Sequence, residues 1–178
     1  MCIRDSAETF GVELDVKKNL DFIGLRGLSF VCNAAYIYSR VRFEEGAPER
    51  DRPLAGQSPY LVNAGFFYQY DDKGISASLL YNRIGKRIES VGVPMQNQDE
   101  DIPDIYEMPR NSLDLTFSKK IGKIVEIKAG IQDILNSKVE YKQFVKLTDD
   151  KGGKSEREQL IRSYRPGVDI NIGVSLRF

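Results

Sequence analysis

The sequence predicts an all-β chain, an antiparallel up-and-down meander of eight strands that forms part of a transmembrane β-barrel. Two observations carry this prediction. Apolar and polar residues alternate along several segments, which is typical of strands with one apolar and one wet face. The connections between these segments are alternately short and long, as in barrels with tight turns at one end and long loops at the other. In isolation, we expect an open, curled sheet.

The bulk composition of the 178-residue chain argues against several classes of protein. Its 26 basic and 26 acidic residues cancel, so no basic field points to nucleic acid as a partner. No apolar run reaches the roughly 18 residues that a membrane helix requires. The modest hydrophobic content of 41% still fits a barrel, because only alternate strand residues face lipid.

Residues typical of catalysis or cofactor binding are scarce. The chain has no histidine, which argues against catalytic triads and most zinc sites, and no Gly-rich phosphate loop occurs. Cys2 and Cys32 lack metal or redox spacing. One polar segment contains a group of acids, Asp99, Glu100, Asp101 and Asp104. That group could bind a divalent cation, but a solvated loop is the simpler interpretation. We therefore expect no enzyme, no metal site and no cofactor.

The first six residues interrupt the alternation, which begins at Thr9. They also lack the apolar region and cleavage site of a signal peptide, which an exported protein needs. Either the protein is cytosolic or its true N-terminus precedes this sequence. We expect residues 1–6 to be a spurious or disordered lead and residues 7–178 to be the barrel segment.

Alternation predicts the strands one by one along the chain. In the first, Phe10, Val12, Leu14 and Val16 share one face. The second is less regular, because its other face is also partly apolar. The strands before the C-terminus are predicted at 9–17, 28–43, 60–70, 75–87, 112–119 and 124–144.

The C-terminal segment 168–178 alternates over its whole length, from Val168 to Phe178. A soluble edge strand could show the same pattern. Two details favour a membrane: the apolar face ends on an aromatic residue at the chain terminus, and the other face carries groups suited to a watery lumen. This pattern resembles the last strand of bacterial outer-membrane barrels, whose terminal Phe is read by the assembly machinery. Phe178 is therefore a candidate assembly signal.

The connections predict the orientation of the strands. The short ones are 18–27, 71–74 and 120–123, and the long polar ones are 44–57, 88–109 and 145–163. If Phe178 lies at the periplasmic end, all three long loops fall outside the membrane. Tyrosines near both ends of the apolar face form two bands, as in a membrane girdle. Cross-strand aromatic packing in a soluble sheet is the alternative explanation.

Several segments resemble the late strands of TonB-dependent outer-membrane receptors. The stretch 58–65, Ser-Pro-Tyr-Leu-Val-Asn-Ala-Gly, followed by 68–70 and 74–88, looks like two of those strands. The stretches 110–115 and 125–136, the second ending in Asp-Ile-Leu-Asn, are similar to the family's penultimate hairpin. The opening stretch 7–14 also looks like a receptor strand. The order and spacing of these loose motifs carry the resemblance over residues 7–178.

The resemblance implies the final strands of a barrel that in this family has about 22 strands around an N-terminal plug. It implies a bacterial outer-membrane protein that takes up a large, scarce nutrient, such as a metal chelate or an oligosaccharide. The implied partners are the lipid bilayer, the barrel assembly machinery, the nutrient, and the TonB complex through N-terminal parts that this sequence lacks. Polar strand residues would line the lumen, namely Asn63, Asn82, Asp114, Glu126 and Lys128.

Two other interpretations remain open. One is a complete eight-stranded outer-membrane barrel with a structural role. Side chains fill the lumen of such a narrow barrel, whereas the predicted inner face carries small residues: Gly65, Ser76, Ser78, Gly130, Gly173 and Ser175. The other is a soluble eight-stranded ligand-binding barrel, which would bury the apolar face inside and expose the polar face.

Overall fold

The computed structural model describes residues 6–95, 101–148 and 154–177. Within these ranges the chain is all-β and forms two antiparallel sheets, as the alternation predicted. Single turns of 3₁₀ helix at Asp21–Ile23 and Asp71–Lys73 follow β1 and β3. None of the helices in these ranges has the length and apolar character needed to cross a membrane. The strands are β1 (Ser6–Asn19), β2 (Leu28–Arg42), β3 (Tyr60–Tyr70), β4 (Ile75–Ile84), β5 (Arg87–Ser90), β6 (Ile105–Glu107), β7 (Arg110–Ile121), β8 (Val125–Gln132), β9 (Val139–Thr148), β10 (Lys154–Tyr164) and β11 (Asp169–Leu176).

The larger sheet, called the main sheet below, has seven strands in the order β1-β2-β3-β4-β7-β8-β11. Each strand pairs antiparallel with its neighbours. Its two edge strands, β1 and β11, are not paired with each other in the described part of the chain. The expectation of an open sheet is therefore confirmed for these residues.

The predicted number of eight strands is wrong. The alternating segments themselves number seven, and each supplies one strand of the main sheet. The difference matters for closure. Six antiparallel steps separate β1 from β11, so these two edges run in the same direction. An antiparallel ladder cannot join them directly, whereas the two edges of an eight-stranded meander run in opposite directions.

The register places most apolar residues of the seven strands on one face. Facing partners in two central rows include Phe30 with Phe66, Leu79 with Leu115, and Phe117 with Ala129. Cross-strand contacts of this kind stabilise a sheet. The face is nevertheless open to its surroundings, since Phe66 and Phe117, on interior strands, are 43% and 44% exposed.

The opposite face carries mainly small and polar side chains, although Val31, Phe67 and Leu80 also lie there. Hydroxyl pairs join β4 to β7, with 2.8 Å between the Ser76 and Ser118 oxygens and 2.7 Å between those of Ser78 and Thr116. Gly130 is buried there, and a Cβ atom at its position would lie 2.7 Å from the side chain of Asn171. The polar face is therefore closely packed beside Gly130.

The two kinds of connection lie at opposite ends of the main sheet, as the sequence predicted. The long ones leave β2, β4 and β8, which are parallel to one another. At the other end the turns are tight. The Gly74 N–H donates to the Asp71 carbonyl oxygen at 2.9 Å, and Gly74 has a φ of 59°, which glycine adopts without steric cost.

The long connections differ from the sequence prediction, because they contain strands. The predicted strand 124–144 is interrupted after β8, where Asp133 and Asn136 have φ angles of 51° and 43°. Asp and Asn adopt this left-handed conformation more readily than other non-glycine residues. The predicted loops 88–109 and 145–163 include β6 and most of β5 and β10. These strands, together with β9, form a four-stranded sheet in the order β10-β9-β6-β5.

The buried apolar side chains of the described residues lie in this second sheet. Ile88, Val139 and Tyr141 are 1%, 4% and 8% exposed. We call the four-stranded sheet, together with the loop 43–59 and the β5–β6 connection, the cap. It lies at the long-connection end of the main sheet.

Candidate functional site

The cap is one structure built from all three long connections. In its sheet, β5 follows β4 after residues 85–86, and β9 follows β8 after residues 133–138. Two backbone N–H groups hold the loop 43–59, one bonded to the cap sheet and the other to β2 of the main sheet. Gly56 donates to the Ile88 carbonyl oxygen at 2.8 Å, and Leu54 donates to Ser39 Oγ at 3.1 Å. Ile88, almost fully buried at this junction, ties the loop to the sheet.

An ion pair with a buried carboxylate joins β5 to β6. Arg87 Nε and Nη2 donate to Glu107 Oε2 at 2.9 and 2.7 Å, and Glu107 is 9% exposed. The two residues face each other across the ladder. Charge-assisted hydrogen bonds of this kind are about twice as strong as neutral ones, so the pair positions the short strands.

Lys86 lies between two aromatic rings that come from different connections. Its Nζ atom is 4.0 Å from the ring centroid of Tyr106 and 3.8 Å from that of Phe144. The two rings meet edge to face, 5.8 Å apart. A cation over aromatic rings is attracted by their negative faces. Burial lowers the pKa of the Lys86 ammonium, while Glu156 and Glu158 act in the opposite direction.

A cleft of about 370 Å³, called the outer cleft below, opens between the loop 43–59, the β5–β6 connection and the β9–β10 hairpin. Tyr106 forms part of its wall and donates its hydroxyl proton to Asp104 Oδ2 at 3.4 Å. Asp104 Oδ1 accepts the Gly92 N–H at 2.8 Å. Burial raises the pKa of the Tyr106 hydroxyl, and the charges of Asp104 and Glu156 raise it further.

The rim of the outer cleft is held by ion pairs. Arg50 pairs with Asp101 and so links the loop 43–59 to the β5–β6 connection. Asp51 accepts the Phe43 N–H at 3.2 Å and pairs with Arg40 at 2.8 Å. The Phe43 N–H and then Arg40 lower the pKa of the Asp51 carboxyl. These contacts shape the cleft without a ligand.

The residues predicted to line a lumen lie on the polar face of the main sheet but do not form one site. Asn82 donates to Asn63 directly across β3 and β4. Asp114 accepts the Asp133 N–H at 2.8 Å. Lys128 Nζ lies 3.5 Å from Glu126 on the same strand, toward the short-turn end. The five side chains are spread over several rows, so the structure gives them a shared face only.

Other sequence predictions fall partly or wholly outside the described residues. Phe178, the candidate assembly signal, lies outside them, as do residues 1–5 of the expected lead, and Ser6 is the first residue of β1. Of the acidic group, Asp99 and Glu100 lie outside, whereas Asp101 and Asp104 are engaged in the cap contacts above. In the ranges that the structure describes, no three potential metal-ligating side chains come together.

The sequence reasoning missed the cap residues Lys86, Tyr106 and Phe144. Lys86 and Phe144 were assigned to the ends of the strands predicted at 75–87 and 124–144, and Tyr106 was assigned to a loop. The pairing of β6 with β9 was therefore not foreseen. A partial signal existed after the Asp133–Asn136 turn, where Val139 and Tyr141 alternate with Glu140 and Lys142. Polar residues occupy both faces of β10, which left that strand without a pattern.

Comparisons of the chain with protein-family models, with curated proteins and with solved structures find no match. The geometry of the two sheets therefore carries the functional argument.

Proposed function

We propose that this chain forms a segment of the wall of a TonB-dependent outer-membrane receptor, with the cap on the outer side. The observation that carries this proposal is the apolar face of the main sheet, which continues across all seven strands and stays exposed. Monomeric soluble proteins rarely expose apolar patches of more than a few hundred Å². A barrel wall in lipid requires such a face.

The polar face supports the same proposal. Asn63, Asn82 and the hydroxyl pairs between β4 and β7 suit contact with a watery lumen, where backbone and side chains remain hydrated. The cap then forms the outer loops that help to capture a large, scarce nutrient, such as a metal chelate or an oligosaccharide. Uptake itself would depend on a plug and on the TonB complex.

The parallel directions of β1 and β11 favour a wall segment over a small complete barrel. Unpaired backbone groups cost several kcal/mol each in hydrocarbon, so both edges need partner strands. Direct antiparallel pairing between the two edges is not available to seven strands. An odd number of further antiparallel strands would complete the ring, and a longer polypeptide can supply them.

The decisive experiment compares two adjacent positions on β8. Ile127 lies on the apolar face and Lys128 on the polar face. Each is replaced by cysteine in a background in which Cys2 and Cys32 are alanine, and is then spin-labelled in the assembled protein in membranes. We expect a lipid-soluble quencher to reach position 127, and a water-soluble quencher to reach position 128.

Equal access at the two positions would overturn the proposed orientation. A position 128 that is open to the water-soluble quencher and a position 127 that neither quencher reaches would support a soluble barrel with its apolar face inside. Phe178 remains a predicted assembly signal, and its deletion should reduce the amount of folded protein in the outer membrane. Unchanged assembly would leave Phe178 as an ordinary packing residue.

A further inference from the structure

The connections at the two ends of the main sheet carry charges of opposite sign. The three short connections, 18–27, 71–74 and 120–123, contain five bases and three acids. Lys17 and Lys119 adjoin them and add two further bases. The three long connections, by contrast, contain seven bases and fourteen acids. A chain without net charge therefore has a basic short-turn end and acidic long connections.

Apolar side chains project from the same basic end. In the turn between β1 and β2, Phe22 is 71% exposed, and Ile23 and Leu25 are exposed as well. In the turn between β7 and β8, Ile121 and Ile124 are exposed. Four strand spacings separate the two turns in the main sheet, which is about 19 Å. The projecting side chains therefore span much of the width of the sheet.

The polar groups of the β1–β2 turn hold its shape. The Asp21 carbonyl oxygen accepts the Gly24 N–H at 3.0 Å, and Asp21 Oδ1 accepts the Gly27 N–H at 3.1 Å. Both glycines have positive φ angles, of 85° and 76°, which glycine adopts without steric cost. The Gly27 carbonyl oxygen accepts the Gln69 N–H at 2.8 Å and so fixes the turn to β3. The exposure of its apolar side chains is therefore a property of the folded turn.

Bases lie beside the apolar side chains of this turn. Lys18 Nζ is 5.5 Å from the ring centroid of Phe22, and Arg26 directly follows Leu25. Both basic side chains are exposed and have no ion-pair partner within 4.0 Å among the residues that the structure describes. Lys18 lies opposite Phe30 in the ladder, so the turn continues the apolar face of the main sheet.

We propose that the short-turn end docks on a bilayer leaflet that contains anionic phospholipids. Phe22, Ile23 and Leu25 enter the acyl-chain boundary, and Lys18 and Arg26 contact headgroup phosphates. Apolar side chains beside bases suit this boundary, and anionic headgroups attract each base near the surface. One planar surface can contact both apolar turns at once. The inference deepens the proposed function by naming the lipid class, and it rests on that function only for placing this leaflet on the periplasmic side.

A single fluorescent reporter tests the proposal. The chain contains no tryptophan, so Phe22→Trp introduces one at the turn. The assembled protein is placed in vesicles of equal parts phosphatidylglycerol and phosphatidylcholine, with only one of the two lipids brominated in its upper acyl chain. Bromine quenches tryptophan on contact. We expect stronger quenching by the brominated phosphatidylglycerol, corresponding to an about two- to fivefold local enrichment of the anionic lipid.

Paired variants in the same background test the role of charge. Lys18→Gln combined with Arg26→Gln should abolish the enrichment. Lys138→Gln combined with Arg157→Gln removes two exposed bases from the long-connection end. This control should leave the enrichment unchanged, because salt screens distant charges. Circular dichroism establishes that each variant is folded.

Three results would overturn the proposal: a reporter that neither lipid quenches, equal quenching by the two lipids, or equal loss of enrichment in the two paired variants. The quencher experiment at positions 127 and 128 is independent of this one. Lipid access at position 127 without enrichment at position 22 would reject the anionic lipid and leave the receptor proposal standing. Enrichment at position 22 without lipid access at position 127 would support docking of this end and reject the membrane-spanning wall.

Discussion

The main sheet and the cap differ in the exposure of their apolar side chains. In the main sheet, apolar residues gather on a face that remains open, with Phe117 on an interior strand 44% exposed. In the cap, Ile88, Val139 and Tyr141 are buried, and charged groups such as Glu107 are paired. The cap therefore buries its own core, whereas the main sheet needs an apolar medium or a cover.

This contrast indicates where each region obtains its stability. Burial of apolar surface within the cap contributes free energy in water. The apolar face of the main sheet contributes stabilising free energy only when lipid or another apolar surface replaces water. In either medium, the backbone hydrogen bonds between strands and the hydroxyl pairs hold the main sheet together. Substitutions in the two regions should therefore respond differently to the surrounding medium.

The largest expected effect is in the core of the cap. Ile88→Ala removes an almost fully buried side chain and should lower the free energy of unfolding of the cap by about 2–5 kcal/mol. Hydrogen exchange should show lost protection in β5, β6 and β9, with the main sheet unchanged. Ile102→Ala, at a residue that is 48% exposed, serves as the control and should cost much less. Equal loss of protection in both sheets would remove the distinction between the two regions.

The next largest effect tests the apolar face of the main sheet. Leu115→Arg should cost about 2–4 kcal/mol if this side chain, in a central row of the apolar face, lies near the middle of a bilayer. Thr116→Arg, at the adjacent position on the polar face, introduces the same side chain and should cost far less. Urea titration of the assembled protein in lipid vesicles measures both free energies. Similar costs for the two variants would contradict a lipid-facing surface.

A smaller effect is expected at the ion pair between Arg87 and the buried Glu107. Arg87→Met leaves the carboxylate of Glu107 buried without its partner and should cost about 2–3 kcal/mol. Arg42→Met breaks the half-exposed pair with Glu8 and should cost about 0–1 kcal/mol. Urea unfolding followed by exchange of cap amides distinguishes the two variants. If Arg87→Met proved as mild as Arg42→Met, the pair would not stabilise the cap.

The smallest effect is a pH response of the cap. Because burial raises the pKa of Tyr106, the folded state binds that proton more tightly than the unfolded state. The associated stability is present below the ordinary tyrosine pKa of about 10 and is lost as the pH rises through the folded value. As the pH is raised, phenolate absorbance should therefore show a late phase, and Tyr106→Phe should reduce the amplitude of that phase. Part of the phase should remain, because burial also raises the pKa of Tyr141. An unaltered late phase in Tyr106→Phe would exclude this assignment.

The alternation along each strand could be interpreted without a structure, because the side-chain period of a strand is a local property. It correctly placed Phe66, Leu79, Leu115 and Val174 on one face of an antiparallel sheet. The lengths of the connections were equally local and correctly assigned them to two ends. Knowledge of which face of the sheet is apolar does not show what covers that face, so the proposed contact with lipid remains a prediction.

The cap depended on contacts between residues that are distant in sequence. Tyr106 lies opposite Lys142 in the ladder, and Lys86 reaches Phe144, yet no periodicity relates these positions. The interruption at Asp133 and Asn136 redirected the chain into a second sheet, and the parallel directions of β1 and β11 followed from the number of paired strands. Amino-acid pattern thus decided which face of each strand is apolar, because that depends on neighbours two residues apart. Pairing across the chain decided the cap, its cleft and the open edges, because those depend on which strands meet.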